Sequence, residues 1–434
     1  MALGGGTFTS QNKKLPGTYI NFVSAASASA ALSDRGVATM PLELDWGTEG
    51  KVFEVTSEDY SKNSQKIFGY TADNAKMQGL NDLFIGANKL YAYRLNTGGV
   101  KASNEYAQAL YSGVRGNDIR IVIQENADSE DMYDVMTYLG TEKVDEQTVS
   151  NAAELTANDY VTFKEKELSV TAGVPLAGGT NGTVDGASHQ AYINKIEPYS
   201  FNTMGVVTSD DSTKRLYAAF VKRMREEVGV KFQLVLHNYS ADYMGVINVK
   251  NKVTDEGWAE GSLVYWVTGA QSGCAVNKSC QNKRYDGAFI VDTDYTQNDL
   301  KTAIADGEFV LHNVSGDVRV LEDINSMVSV SDTQGDVFKD NQTVRVIDQI
   351  GNDDAVLFNT KYLGVVPNNA SGRVSLWADL VKIRQQLLEL GAIENFTDTD
   401  VTVEQGDNRK SVVVTGSIQV VNAMSKVYMT ITVA

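Results

Sequence analysis

The residues before the terminal alanine alternate without a break. Val427, Met429, Ile431 and Val433 fall on one face, and Tyr428, Thr430 and Thr432 on the other. A period of two over this length is the pattern of a β-strand, and it runs to the last residues of the chain. A second strand pattern stands at the other end. Thr18-Tyr19-Ile20-Asn21-Phe22-Val23, rich in β-branched and aromatic residues, follows a Pro16-Gly17 turn signal. The Ser/Ala stretch from Ser24 to Ala31 comes next, with little to bury, and reads as a linker. A strand presents a row of N–H and C=O groups that need partners. Two strands with nothing beside them to pair with must find those partners elsewhere, either within the chain or on another molecule.

Between these ends the chain reads as α/β and multi-domain. Its 434 residues suggest about three domains, and with 42% hydrophobic and 21% charged residues there is enough apolar material for real cores. Residues 1–31 are expected to be an extended arm and linker. A small α/β unit over 32–98 carries the strands Val37–Leu42 and Leu90–Leu95 and a helix between Asp73 and Ala87. Residues 99–195 show short strand patterns, Asp118–Gln124 and Lys166–Val174 among them, separated by Gly, Asn and Asp; they read as an inserted β-sandwich. Residues 196–330 alternate helix and strand. A helix capped by Ser212 or Thr213 shows the stripe Leu216, Phe220, Met224, Val228; the strands are Val230–Leu236, Met244–Val249, Gly287–Val291 and Glu308–Leu311, with a helix around Leu300 and Ile304. This spacing argues for a parallel sheet. Residues 331–434 read as α+β, with a helix over Val374–Leu390 whose stripe is Leu376, Leu380, Ile383, Leu387 and Leu390.

The formal charge of −17 sets this chain against phosphate backbones and anionic membranes, so neither nucleic acid nor membrane insertion is expected. No apolar stretch approaches a membrane span, and the Met-Ala-Leu-Gly-Gly-Gly start lacks a secretory pattern. Synthesis in a bacterial cytoplasm is expected, and the two cysteines fit a reducing compartment. Cys274 and Cys280 could be bridged only if the loop between them folds back.

Motifs for chemistry are missing. His189, His237 and His312 are far apart and none stands at metal-ligand spacing. There is no phosphate-binding glycine loop. Asp292-Thr293-Asp294 starts like a calcium loop but lacks its glycine and closing acid. In Gly269-Ala270-Gln271-Ser272-Gly273 the serine is displaced by one from the nucleophile-elbow pattern. No cofactor, no metal and no enzymatic activity are expected.

Several strings resemble the tail sheath proteins of contractile-tailed phages and of prophage or bacteriocin-like particles of Gram-positive bacteria. At the amino end they are Leu15-Pro16-Gly17-Thr18-Tyr19-Ile20-Asn21-Phe22, Arg35-Gly36-Val37 and Leu42-Glu43-Leu44-Asp45-Trp46-Gly47. Centrally they are Glu197-Pro198-Tyr199-Ser200-Phe201-Asn202, Gly273-Cys274-Ala275-Val276-Asn277-Lys278-Ser279 and Tyr285-Asp286-Gly287. Toward the carboxyl end they are Val320-Leu321-Glu322-Asp323-Ile324-Asn325-Ser326 and Gly391-Ala392-Ile393-Glu394-Asn395-Phe396. The resemblance implies a subtilisin-like α/β core without a catalytic triad. It implies hexameric rings stacked helically around a tail tube protein, bounded by baseplate and tail terminator proteins, and contraction that drives the tube through a cell envelope. It also implies that terminal strands are exchanged between subunits, here Tyr19, Ile20, Phe22 and Val23 at one end and Val427, Met429, Ile431 and Val433 at the other. Lys382 and Arg384 are candidates for a tube-facing surface. The alternatives are another self-assembling virion protein, such as a tube or capsid subunit, and a subtilisin-fold hydrolase acting through Ser272.

Overall fold

The computed structural model describes residues 32–129 and 131–433, in two compact units. One unit comprises residues 39–84 and 88–197. It opens with β1 (Val37–Leu42), β2 (Phe53–Thr56), α1 (Ser57–Phe68), α2 (Gln78–Phe84) and β3 (Lys89–Arg94), and β3 lies between β1 and β2. Helix α1 starts where a capping box demands: Thr56 accepts from the Asp59 N–H and Asp59 reaches back to the Thr56 N–H. It stops at Gly69, which takes the left-handed conformation at φ 83°. There is no room there for a side chain, because an added Cβ would lie 2.8 Å from Trp46 Cβ.

The rest of this unit is the sandwich that the turn spacing suggested. A pair is formed by β4 (Ala107–Ala109) and β8 (Val161–Phe163). The strands β5 (Ile119–Glu125), β6 (Tyr133–Leu139), β7 (Glu142–Val149) and β9 (Thr171–Pro175) make an antiparallel sheet in the order β7-β6-β5-β9. Ile119, Ile121 and Ile123 alternate into the core with Val135, Leu139 and Trp46. The unit closes with α3 (Gly186–Ile196).

Of the described residues, the other unit comprises 32–38, 85–87 and 198–433. Its sheet has the order β13-β12-β11-β10 and is parallel throughout, from β10 (Thr203–Gly205), β11 (Gln233–His237), β12 (Val246–Val249) and β13 (Glu308–Phe309). Every residue of β11 and β12 is buried, which explains the near-continuous apolar run rather than alternation. The crossovers are α4 (Asp211–Arg223), α5 (Val264–Gly273) and α6 (Gln297–Ala305). Farther on lie the hairpin β14 (Leu311–Val314) with β15 (Asp317–Val320), the helices α7 (Asn341–Leu357) and α8 (Ala370–Glu389), and four short strands in two pairs. These are β16 (Ile393–Glu394), paired with β19 (Gln419–Val420), and the hairpin of β17 (Val401–Gln405) with β18 (Val412–Gly416).

Several local expectations are corrected. The cap of α4 is Asp210, whose carboxylate accepts from the Thr213 N–H at 2.7 Å, with Ser212 donating to the same group. A π-helical turn, Met224–Val228, follows α4 and rotates the stripe, so that Arg225 is buried and Val228 is exposed. Residues 287–291 are not a strand. The Phe289 N–H donates to the Tyr285 hydroxyl and the Ile290 N–H to the Asp255 carboxylate, so side chains take the donors a ladder would use. The strand expected over 166–174 forms only at Thr171–Pro175. Helix α8 buries Leu376, Leu380, Ile383 and Leu387 as the stripe requires, while Leu390, past its end, is exposed.

Candidate assembly site at the roots of the terminal arms

The chain enters this second unit through a short series of polar bonds. The Leu32 N–H donates to Gln386 Oε1 at 3.1 Å, and Ser33 Oγ donates to Asp353 Oδ1 at 2.6 Å. Gln349 Nε2 donates both to Ser33 Oγ at 2.8 Å and to Asp353 Oδ2 at 2.7 Å. Burial pushes the Asp353 carboxyl above its ordinary range, against the pull of the bonds from Ser33 and Gln349. Arg35 goes deeper. Its Nε donates to the Cys274 carbonyl at 2.8 Å and its Nη2 to the Gln271 carbonyl at 3.1 Å, capping the C-terminal end of α5. Burial and the neighbouring Arg345 lower the Arg35 guanidinium to about 10. Asn202 Oδ1 then receives the Gly36 and Val37 N–H groups.

The other arm leaves from the opposite end of the same helix. Gln342, in the first turn of α7, donates from Nε2 to the Val421 carbonyl at 3.0 Å and accepts from the Ala423 N–H at 2.9 Å. Asn422 Nδ2 donates to Thr343 Oγ1 at 3.1 Å. Gln281 donates to Ser425 Oγ at 2.9 Å, and Lys426 stands 3.9 Å from Glu322. Beyond that the chain runs free. Val427, Met429, Ile431 and Val433 are 85%, 73%, 75% and 90% exposed, and among the described residues nothing pairs with them as a strand. Their alternation is therefore unused among the described residues. Tyr19, Ile20, Phe22 and Val23 lie outside the described residues.

Helix α7 can serve as a common anchor because it is pinned from beneath by buried charge. Arg345 is 1% exposed and donates to the Lys278 carbonyl at 2.7 Å, to Gln271 Oε1 at 2.6 Å and to Asp323 Oδ2 at 3.3 Å. Asp323 also accepts from Gln271 Nε2 at 2.6 Å, from the Cys280 N–H at 2.8 Å and from Asn341 Nδ2 at 3.0 Å. One turn on, Asp348 takes both terminal nitrogens of Arg225 at 2.6 and 2.7 Å. This fork is available because the π-helical turn swings Arg225 inward. The sequence marked none of these residues as an anchor; Arg35, Lys278 and Asp323 stood out only within the family-like strings. The one signal is that α7 buries Asn341, Gln342, Thr343, Arg345, Asp348, Gln349 and Asp353, a polar face at helical spacing.

The residues weighed for chemistry have other occupations. Ser272 is buried in α5, where its Oγ donates to the Gly269 carbonyl at 2.9 Å. Gly86 and Gly273 instead allow the close approach of α5 to residues 85–87: a Cβ on Gly86 would lie 2.3 Å from Gly269 O, and one on Gly273 would lie 2.0 Å from Gly86 O. Among the described residues no group of three or more His, Cys, Asp or Glu side chains could hold a metal ion, and no helix is long and apolar enough to cross a membrane. The two candidate tube-facing residues part company. Lys382 is exposed, whereas Arg384 is buried and forks onto both carboxylate oxygens of Asp354, so its charge is spent within the chain.

Family models match nearly the whole described chain. The phage tail sheath protein central domain covers residues 182–326, its C-terminal domain 333–434, its beta-sandwich domain 97–181, and the domain III N-terminal region of the tail sheath protein Gp18 covers 35–95. The phage-like element PBSX protein XkdK of Bacillus subtilis (strain 168) is 32% identical over 99% of this chain and 100% of its own. The crystal structure of a sheath tail protein from Desulfitobacterium hafniense is 36% identical, with a TM-score of 0.82 over 93% of this chain and 96% of that one. The helical sheath of the anti-feeding prophage in its contracted state shares the fold alone, at 12% identity and a TM-score of 0.59 over 97% of this chain and 99% of that one. The chain belongs to the phage tail sheath protein family. It is a structural subunit of a contractile tail sheath.

Proposed function

We propose that this subunit polymerises by handing its terminal strands to its neighbours, forming stacked hexameric rings around a tail tube protein, with baseplate and tail terminator proteins at the ends. The observation that carries the reading is the carboxyl arm: an alternating strand sequence, fully exposed, beginning just past its last side-chain bonds on α7. The acceptor is the β17–β18 hairpin. It has only two strands among the described residues and exposes Val413 and Val414. An added strand satisfies its open backbone edge and covers those valines. Such head-to-tail contacts generate rings and helices rather than closed dimers. The amino arm, with Tyr19, Ile20, Phe22 and Val23, is the second exchanged strand, and the Ser24–Ala31 linker lets subunits turn while remaining joined. Lys382 belongs to a tube-facing surface and Arg384 to its internal support.

The finer architecture follows the same reading. Residues 1–31 form the arm, 32–98 the first small α/β domain, 99–195 the β-sandwich, 196–330 a subtilisin-like core without a triad, and 331–434 the C-terminal α+β domain. The parallel β10–β13 sheet supports the core assignment, and the buried Ser272 supports a non-enzymatic role. Synthesis takes place in the host cytoplasm and assembly in the particle. The test uses the full chain with Met429→Lys and Ile431→Lys. By negative-stain electron microscopy, with the tube protein present, the unaltered chain forms sheath-like tubes. The double variant stays monomeric with an unchanged circular dichroism spectrum. Tubes formed equally well by the variant would refute strand exchange through this arm.

A further inference from the structure

The loop between Cys274 and Cys280 folds back on itself. Two groups converge on one carbonyl: the Cys274 N–H donates to Ala270 O at 3.0 Å, and Cys280 Sγ donates to the same oxygen at 3.6 Å. Cys274 Sγ in turn donates to the carbonyl of Lys278, two residues before Cys280, at 3.5 Å. The two thiols are unequal in access. Cys274 is partly exposed, whereas Cys280 is 1% exposed. The loop's carbonyls are in use: Arg345 holds that of Lys278 and Arg35 that of Cys274.

We infer that Cys274 and Cys280 are a redox pair that closes into a disulfide within this loop, with a low-molecular-weight disulfide as oxidant, Cys274 as the attacking thiolate and Cys280 as the resolving thiol. The environment suits the assignment. The neighbouring Cys280 thiol and the guanidinium of Arg345 outweigh burial and draw the Cys274 thiol below its ordinary range; the neighbouring Cys274 and burial push Cys280 well above it. The steps balance. Cys274 thiolate attacks one sulfur of oxidised glutathione, forming a mixed disulfide and releasing one glutathione thiolate. Cys280 then gives its proton to solvent or to that thiolate and attacks the Cys274 sulfur, releasing the second glutathione. The protein loses two electrons and glutathione disulfide gains them. Closure brings the two sulfurs to about 2.05 Å. The product locks the loop on which Arg35, at the root of the amino arm, depends.

The experiment treats the folded full chain with oxidised glutathione, quenches it with acid, and measures intact mass and tryptic peptides. Lys278 lies inside the loop, so trypsin separates the two cysteines and leaves a linked peptide pair only if they are bridged. The expected product is a chain two hydrogens lighter, yielding that linked pair, with a raised melting midpoint that dithiothreitol reverses. Cys280→Ser is expected to retain glutathione on Cys274, and Cys274→Ser to remain unmodified. A mixed disulfide on the unaltered chain that never closes, a disulfide between chains, or two unmodified thiols under conditions that oxidise a model dithiol would each overturn the inference. So would glutathione on Cys280 in Cys274→Ser.

Discussion

Replacing Asp323 by alanine tests whether α7 is held by buried charge. The carboxylate stands against Arg345, and both side chains are 1% exposed. The substitution strips Arg345 of its only anionic partner among the described residues. It also removes the acceptor for Gln271, Asn341 and the Cys280 N–H. Removing one member of a buried pair typically costs about 3–5 kcal/mol, because the other charge stays behind without compensation. At roughly 2 °C per kcal/mol for a large domain, the melting midpoint of the unit should fall by about 6–10 °C. Urea unfolding followed by tryptophan fluorescence, at concentrations that keep the chain monomeric, gives the free energy. The pair replacement Asp323→Leu with Arg345→Met removes both charges and should recover more than half of the loss. Acid should mimic the single substitution. Burial works to raise the Asp323 carboxyl, but Arg345 and the bonds from Cys280, Gln271 and Asn341 outweigh it and hold the group low. Its stabilisation is therefore complete above the ordinary carboxylate range and lost as pH falls through the lower folded value. A cost for Asp323→Ala below about 1 kcal/mol, the value of one ordinary hydrogen bond, would refute the reasoning.

Gly86→Ala should cost about 1–3 kcal/mol, since its Cβ would lie 2.3 Å from the Gly269 carbonyl oxygen and backbone must move. Gly335→Ala, whose Cβ meets nothing within 4 Å, is the neutral control, and both are read from thermal midpoints. His237 is held below its ordinary value by burial and by Lys214. Its neutral form is thus favoured in the fold, and its contribution is complete above the unfolded pKa and lost as pH falls below it. Calorimetry from about pH 7.5 to about pH 5.5 should show declining stability, by at most about 1.4 kcal/mol per pH unit for this one proton. His237→Gln should flatten that slope, and an unchanged slope would assign the effect elsewhere.

The parts of the fold that were legible in the sequence are those where one local signal decides. Leu376, Leu380, Ile383 and Leu387 marked the buried stripe of α8, and Gly391 its end at φ 70°. The alternation of Ile119, Ile121 and Ile123 marked a sandwich strand. Where the sequence misled, long-range partners had changed the local rule. Ile290 sits in an apolar run yet lies exposed, because Asp255, 35 residues away, takes its N–H. The π-helical turn shifted the stripe of α4 by one residue, and no composition signal announces an extra residue in a helical turn. The amino arm lies outside the described residues, and the carboxyl arm was legible as an alternating run with nothing beside it to pair with. Their roots were not, because Gln342, Gln349 and Asp353 look like ordinary solvated helix residues until the segments they hold are known.

The two arms meet on one helix. Gln342 and Thr343 hold the carboxyl arm at the start of α7, and Gln349 and Asp353 hold the amino arm in its second half, about 16 Å along the axis at the α-helical rise. In a sheath linked through its arms, tension entering at one neighbour would pass toward the next in part along this helix of 17 residues, beside the bonds of Arg35 to α5 and of Gln281 to Ser425. The helix itself is clamped by Arg345 and Asp348. Its weakest couplings are the few side-chain bonds at each end, worth about 1 kcal/mol apiece. Under load the subunit would let go at these couplings before its core deformed. In a particle linked this way, the first give under tension would come at a handful of glutamine, serine and aspartate contacts rather than in the domains they join.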